Sequence, residues 1–361
     1  MPLPKTTLEK IAGSRIKITG EIDAATFTKY RPKALKQLNE TVKLDGFRPG
    51  HIPESVLCER VGEMAILEEM ANEALGDAYP QIVEAHSLDV VGRPEVQITK
   101  VAKDNPLGFV LTVSVLPEVS LGEYKELARE GKKKGEAMSL EVSEKEIESA
   151  LKELQAMQTA KEEESERNKP DSAEAEKKKT VAKDEEGQKN LPAIDDAFAQ
   201  SLGQFKDLAD LKAKLRENMT QEKKQARAQA VRHGIIEALV SAVAVDIPEV
   251  LIENELERML AETYAEAKRY GIEKEAYLKA SKTSEEKLRV EWKENARKRV
   301  TAELALREVG IKEKVSVLGE ELEAEVAKLL ALYPEANKDG ASRYLAEQMT
   351  KEAVLKKLES F

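Results

Sequence analysis

Few residues in this 361-residue chain have the types and spacing that catalysis needs. The chain has one cysteine, Cys58, and three histidines, His51, His86 and His233. Only His51 lies near the cysteine in sequence, and two soft ligands do not complete a metal site. We expect Cys58 to be a buried small residue on its helix, and His86 and His233 to lie on helix faces. The sequence therefore predicts no catalytic residue, no metal site and no cofactor.

Other patterns that mark catalysis are also missing. The sequence contains no glycine-rich phosphate loop and no nucleophile elbow. Asp and Glu are abundant, but on charged helices they usually form solvated faces and partners of nearby Lys and Arg residues. The chemistry that the sequence does support is binding.

One short loop has a composition that suits binding. It reads Gly46-Phe47-Arg48-Pro49-Gly50-His51-Ile52-Pro53 and lies between two helix-like runs. The glycines accept backbone angles that other residues avoid, and Pro49 pushes Arg48 toward an extended conformation. A stiff tip that displays Phe47 and Arg48 suits a surface with apolar and phosphate features. On spacing alone, an ordinary turn with Phe47 folded into the core is an equal alternative.

The same loop, read from Asp45 to Pro53, resembles the signature loop of the trigger factor family. These bacterial chaperones dock beside the ribosomal exit tunnel, and in the family this loop makes the ribosome contact. The resemblance implies the large ribosomal subunit as partner, through ribosomal protein and rRNA. It also implies seven ribosome-binding residues, which are Gly46, Phe47, Arg48, Pro49, Gly50, His51 and Pro53. Because His51 stands where the family often has lysine, Arg48 is the only fixed positive charge of the loop.

The composition favours helices with solvated faces. Charged residues make up 35% of the chain and aromatic residues 4%, and the net charge of −10 argues against general nucleic-acid binding. Residues 1–60 nevertheless hold 11 Lys and Arg against 7 Asp and Glu, which gives a mildly basic amino-terminal part. No run approaches ~18 apolar residues, so we expect no membrane span and a cytoplasmic protein.

Periodicity predicts an α+β domain over residues 1–116, called the head below. Ile16, Ile18 and Ile22 alternate with polar residues, as in a half-buried strand. Two further alternating runs, near Val96–Ile98 and Phe109–Val115, predict a hairpin that closes a small sheet with the first strand. Helical patterns flank the Gly46–Pro53 loop, one ending near Lys43 and others covering 53–75 and 77–86. The head resembles the trigger factor ribosome-binding domain in order and length.

The next segments predict a connection and then a linker. Residues 117–157 form a connecting arm and a first helix, opened by a capping box at Ser143 and Glu146. Residues 158–190 hold no aromatic residue and are dense in Glu and Lys, which predicts a flexible charged linker. Most trigger factors carry a prolyl isomerase domain of FK506-binding type here. The resemblance therefore implies a variant that lacks this domain and is not an enzyme. The alternative is that the chain counts as a prolyl isomerase only through its family membership.

Residues 191–361 carry apolar stripes at helical spacing and predict an all-α chaperone domain, broken at Asp246-Ile247-Pro248. Methionine and aromatic side chains adapt to varied partners. The candidate client-binding residues are Met219, Met259, Tyr264, Trp292, Val300 and Met349. The alternative for each is an ordinary core position.

The predicted fold is an α+β ribosome-binding domain joined to an extended all-α chaperone domain, mostly helical overall. The predicted function is a ribosome-associated chaperone that binds nascent polypeptides at the tunnel exit, delays misfolding, and assists folding and export. The alternative is a helical scaffold or a dimeric holdase that acts off the ribosome as a homodimer.

Overall fold

The computed structural model describes residues 3–42, 47, 50–167, 193–317 and 319–361. These residues form four β-strands and thirteen helices. The strands are β1 (Lys5–Ile11), β2 (Arg15–Ile22), β3 (Val90–Lys100) and β4 (Leu107–Val115). The helices before residue 168 are α1 (Ala24–Thr28), α2 (Arg31–Thr41), α3 (Glu54–Val61), α4 (Glu63–Ala85), α5 (Tyr124–Glu136) and α6 (Glu144–Arg167).

The described residues after 192 are almost entirely helical, as predicted. Their helices are α7 (Asp196–Leu202), α8 (Leu208–Ala242), α9 (Glu249–Arg269), α10 (Lys274–Ala280), α11 (Glu285–Lys312), α12 (Gly319–Leu332) and α13 (Lys338–Glu359). The predicted break at Asp246-Ile247-Pro248 separates α8 from α9. The predicted linker lies outside the described residues from position 168 onward, and its first ten positions belong to α6.

The head is built on an antiparallel sheet with strand order β1-β2-β4-β3. The predicted hairpin of β3 and β4 is confirmed, as is its pairing with the first predicted strand, β2. Alternate residues of β2 are buried, including Ile18 and Ile22, and they face Phe109 and Leu111 of β4 in one core. Gly20 lies under the Phe109 ring, where an added Cβ would overlap the ring.

Two features of the head were not predicted. Strand β1 lies at the edge of the sheet and is mostly exposed, so its sequence shows no clean alternation. The helical break falls at Gly62, which has φ +86°, rather than near residue 76. Helix α4 instead continues through the exposed Pro80, because buried residues on both sides of it, Ala74, Ala78 and Ile82 among them, pack in the head core.

The chain divides into two compact units. Unit 1 comprises the chain up to Gly122 together with Leu239–Val354, and unit 2 comprises Glu123–Ala238 and Leu355–Phe361. The predicted boundaries at residues 116, 157 and 190 stay predictions. Across the described residues, no helix is both long and apolar enough to cross a membrane.

Unit 1 contains the head together with α9 and α11. These two helices form a core of Ile252, Leu256 and Leu304, against which Leu116 and Val119 of the chain that leaves β4 also pack. Polar contacts add to this core. The Asp246 carboxylate accepts a 2.6 Å hydrogen bond from the Gly13 N–H, and Arg307 pairs with Asp89 at 3.1 Å.

Unit 2 contains α5, α6, α7 and most of α8. Its apolar core joins Ile147 and Leu151 of α6 to Phe198 of α7 and Leu211 of α8. Residues 124–136, predicted as part of a polar connecting arm, form helix α5. They do so because Gly131 and Gly135 pack directly on the backbone of α8.

Candidate functional site

The Gly46–Pro53 loop connects α2 to α3 in the head. Gly46, Arg48 and Pro49 lie outside the described residues. The Phe47 side chain is 39% exposed and does not belong to the buried core of the head. His51 is exposed, and Pro53 is the residue that precedes α3. The described part of the loop therefore displays an aromatic ring and an imidazole.

The carboxyl-terminal end of this loop is held by Asn39 of α2. The Gly50 N–H donates to the backbone carbonyl of Asn39 at 2.8 Å, and Gly50 has φ +84°. The Asn39 side chain accepts from the Ile52 N–H at 3.0 Å and donates from Nδ2 to the Ile52 carbonyl at 2.8 Å. The Ile52 side chain is 3% exposed. Sequence patterns missed Asn39, because its partners lie 11 to 13 positions away and no periodicity links them.

Cys58 lies on α3 beside a guanidinium and packs against the head core, as predicted for its helix, but it is half-buried rather than buried. Arg31 Nη2 lies 3.9 Å from the Cys58 Sγ, and the same guanidinium binds both carboxylate oxygens of Glu63, at 2.6 and 3.1 Å. This hydrogen bonding holds the pKa of Glu63 below its usual value. The arrangement is a structural ion pair that joins the starts of α2 and α4.

The other two histidines serve structure or face solvent. His86 ends α4, and its Nε2 lies 2.9 Å from the Thr6 hydroxyl of β1, so it joins two elements rather than lying on a helix face. His233 is exposed on α8. Within the described residues, no group of three or more His, Cys, Asp and Glu side chains could hold a metal ion.

The candidate client-binding residues do not form one surface. Val300 is 7% exposed in the core of α9 and α11, and Met259 and Trp292 pack against the same core. Tyr264 lies further along α9, where its ring meets Tyr277 of α10 edge to face at 6.2 Å.

The remaining two candidates lie elsewhere. Met219 is half-buried against the core of unit 2, and Met349 is half-buried on α13. The six candidates are therefore spread over several helices of the two units.

Unit 1 contains a larger apolar feature, of which sequence analysis had marked only Val300. A cavity of about 980 Å³ opens between α9, α11 and α13. Its apolar lining comes from Leu116, Leu251, Val300, Leu304, Leu306, Ile311, Val315 and Val354. Ile311 is 62% exposed and lies at the edge of this cavity. Residues from four separate stretches meet here, so no local pattern could have marked it.

The polar wall of the cavity is charge-paired. Glu255 is only 5% exposed, and its carboxylate binds Arg258 at 2.5 Å and Arg299 at 3.3 Å. Two guanidinium partners compensate the cost of burying this charge. Arg258 also reaches Glu303 at 3.7 Å. These buried and half-buried charges are therefore paired within the protein, and the apolar part of the cavity is the surface that an outside ligand could use.

Sequence comparisons with known proteins point to one family. A family model described as bacterial trigger factor protein (TF) matches residues 4–154, and one described as its C-terminus matches residues 207–359. The trigger factor of Geobacillus kaustophilus is 29% identical over 391 aligned positions, and that of Anoxybacillus flavithermus is 28% identical over 391. Each alignment covers 90% of both chains. A solved structure of a trigger factor chaperone aligns with 98% of this chain and 99% of its own, at 19% identity and TM-score 0.49.

An α+β head with an aromatic loop, joined to helices with open apolar surface, defines a molecular chaperone that acts by binding. The two family models together span most of the chain, and the chain belongs to the trigger factor family. Its function is that of a ribosome-associated chaperone.

Proposed function

We propose that this chaperone docks on the large ribosomal subunit through the Gly46–Pro53 loop and holds apolar segments of nascent polypeptides in the cavity of unit 1. The observation that carries the docking proposal is the 39% exposed Phe47 ring on a loop whose far end is fixed by Asn39. A large apolar ring held in solvent by an ordered loop end is expected of a contact residue. The mildly basic composition of residues 1–60 supports a partner that contains RNA.

Co-sedimentation with ribosomes tests the docking proposal. Replacing Phe47 with alanine should weaken binding at least about tenfold, since aromatic anchors carry much of the energy of an interface. Leu8→Ala is a matched control, because Leu8 is also an apolar head residue with 39% of its side chain exposed. Equal pelleting of the parent protein and Phe47→Ala would remove the docking proposal.

The cavity of unit 1 supports the holding proposal better than the dispersed methionine and aromatic candidates do. Its volume of about 980 Å³ accommodates several apolar side chains of a client. The exposed Ile311 continues the apolar lining outward. Weak binding by such a surface needs no catalytic residue, and the surrounding charges oppose self-association.

Suppression of aggregation of an unfolded test protein checks this proposal. Ile311→Glu places a charge at the cavity edge and should reduce suppression several-fold, because burying that carboxylate under a client is unfavourable. Val290→Glu is the matched control, since Val290 is a 78% exposed apolar residue of the same helix, α11, outside the cavity lining. A comparable loss from both variants would place client binding elsewhere.

Chaperone activity without isomerase activity is also part of the proposal. The matched ranges 4–154 and 207–359 leave only residues 155–206 between them. The 391 aligned positions exceed the 361 residues of this chain, so the relatives contain positions that the chain lacks. We expect no catalysis in a proline-limited refolding assay, and acceleration there would restore the isomerase alternative.

The proposed compartment is the cytoplasm, where ribosomes supply the clients. A scaffold without client binding, or a dimeric holdase off the ribosome, is the competing function. A scaffold would leave aggregation unchanged at excess chaperone. An off-ribosome holdase would suppress aggregation but would not pellet with ribosomes.

A further inference from the structure

Asn39 makes three hydrogen bonds to the end of the Gly46–Pro53 loop, one through its backbone and two through its side chain. We infer that Asn39 is a positioning residue, which holds the end of this loop, at residues 50–52, in place for docking. The inference rests on the proposed docking function and adds to it a residue that never touches the partner.

The chemistry of an asparagine side chain fits this role. Its amide offers one acceptor and one donor group on the same short side chain, and here both engage the backbone of Ile52. Among the described residues, the Ile52 N–H and carbonyl have no other hydrogen-bond partner. Asn39 is only partly exposed, so water is a poor substitute for it.

The neighbouring contacts extend this anchor. The Ile52 side chain is itself buried. The Gly50 N–H donates to the Asn39 carbonyl, and Gly50 adopts a positive φ, which glycine accepts readily. The loop end is therefore attached to the last turn of α2 through Asn39.

Amide hydrogen exchange tests the anchor without any partner. Asn39→Ala should speed exchange of the Ile52 amide roughly tenfold, because that N–H loses its acceptor. Thr41→Ala is the control, since the Thr41 hydroxyl bonds back to Gln37 and Leu38 within α2 and does not touch the loop. Unchanged exchange at Ile52 in Asn39→Ala would overturn the inference whatever a ribosome assay gives.

A double-mutant cycle on ribosome affinity tests the positioning role. Asn39→Ala should weaken binding roughly tenfold in the parent protein and have little further effect when Phe47 is already alanine. Equal losses in both backgrounds, or parental affinity for Asn39→Ala, would overturn it. If Phe47→Ala binds ribosomes as tightly as the parent protein, the proposed docking function is wrong. The Asn39 anchor is tested separately, because amide exchange at Ile52 is measured without ribosomes.

Asn39→Asp separates positioning from mere loss of packing. At neutral pH the introduced carboxylate can accept from the Ile52 N–H but cannot donate to the Ile52 carbonyl. Below a carboxyl pKa of about 4 it regains an O–H donor. At neutral pH the carboxylate also repels the Ile52 carbonyl oxygen, which lies where the Nδ2 donor was bound. Protection of the Ile52 amide, relative to the parent at the same pH, should therefore be lower at neutral pH than in acid. If Asn39→Asp lost as much protection of the Ile52 amide as Asn39→Ala does, and at every pH, the Nδ2 donor would have no positioning role.

Discussion

Glu146 lies in the first turn of α6, where it bonds to Ser143 of its own helix start and to Lys223 of α8. Its carboxylate accepts from the Ser143 N–H at 2.8 Å, and its own N–H donates to the Ser143 hydroxyl at 3.3 Å, which is the predicted capping box. Lys223 of α8 adds a 2.7 Å ion pair that no local pattern indicated. The hydrogen bond from Lys223 and those from Ser143 lower the pKa of Glu146 to about 2.

This pKa predicts a pH dependence of the stability of unit 2. The pKa of Glu146 in the folded protein lies below the ordinary glutamate value of 4.5, so the ionised carboxylate stabilises the fold above pH 4.5. That contribution should be lost as the pH falls from 4.5 toward 2. Glu146→Gln should therefore lower the free energy of unfolding at neutral pH and flatten its slope in this window, as measured by urea unfolding.

Glu148→Gln provides the control for this experiment, because Glu148 is an exposed residue of the same helix. A slope in Glu146→Gln equal to that of the parent protein would show that other carboxylates cause the acid sensitivity.

At the scale of elements, the crossing of α5 and α8 depends on residues with no side chain. A Cβ added at Gly131 would overlap the backbone of Gly234, and one added at Gly135 would overlap the backbone of Val231. The two helices therefore approach closely enough for their backbones to touch. This contact accounts for a helix in a stretch whose polar sequence predicted only a connecting arm.

Glycine substitutions should have opposite effects in two helices. Gly135→Ala should destabilise the protein by about 2 kcal/mol, since the added methyl group forces α5 and α8 apart. Gly76→Ala, in α4, should stabilise it by about 0.5–1 kcal/mol, because an added Cβ there meets no atom within 4 Å and alanine favours the helix. Thermal or urea unfolding measures both changes. If Gly135→Ala and Gly76→Ala changed the free energy of unfolding by the same amount and in the same direction, helix propensity and not the crossing of α5 and α8 would explain both changes.

At the scale of the whole molecule, residues far apart in sequence form one compact unit. The turn between β1 and β2 has positive φ at Gly13 and Ser14, and both residues bond to Asp246, more than 200 positions later. A Cβ added at Gly92 of β3 would overlap Val250 of α9. The head and α9 therefore share an interface within unit 1, although the sequence predicts them as parts of separate domains.

Removing the Asp246 carboxylate tests this interface. Asp246→Ala should cost about 1 kcal/mol of local stability and speed exchange of the Gly13 amide about fivefold, since that N–H loses a charged acceptor. Glu118→Ala serves as the comparison, because Glu118 is an exposed acidic residue of the same unit. If the Gly13 amide exchanged at the same rate in Asp246→Ala as in the parent protein, the turn between β1 and β2 would hold its shape without the Asp246 carboxylate.

Features that depend on neighbouring residues along the chain could be predicted from the sequence. Alternation identified β2 and β4, the Ser143–Glu146 spacing identified the start of α6, and Pro248 marked the break before α9. The residue identities of the Gly46–Pro53 loop pointed to the family that the two family models then established. Local backbone preference and periodic burial are enough for such features.

The tertiary structure alone decided the features that join distant residues. The edge strand β1 is held by pairing with β2, and α5 by contact with α8. Asn39 gains its role only because the chain returns to it at Gly50 and Ile52. The cavity exists only where α9, α11 and α13 meet. Each depends on non-local packing, which a sequence pattern over neighbouring residues does not encode.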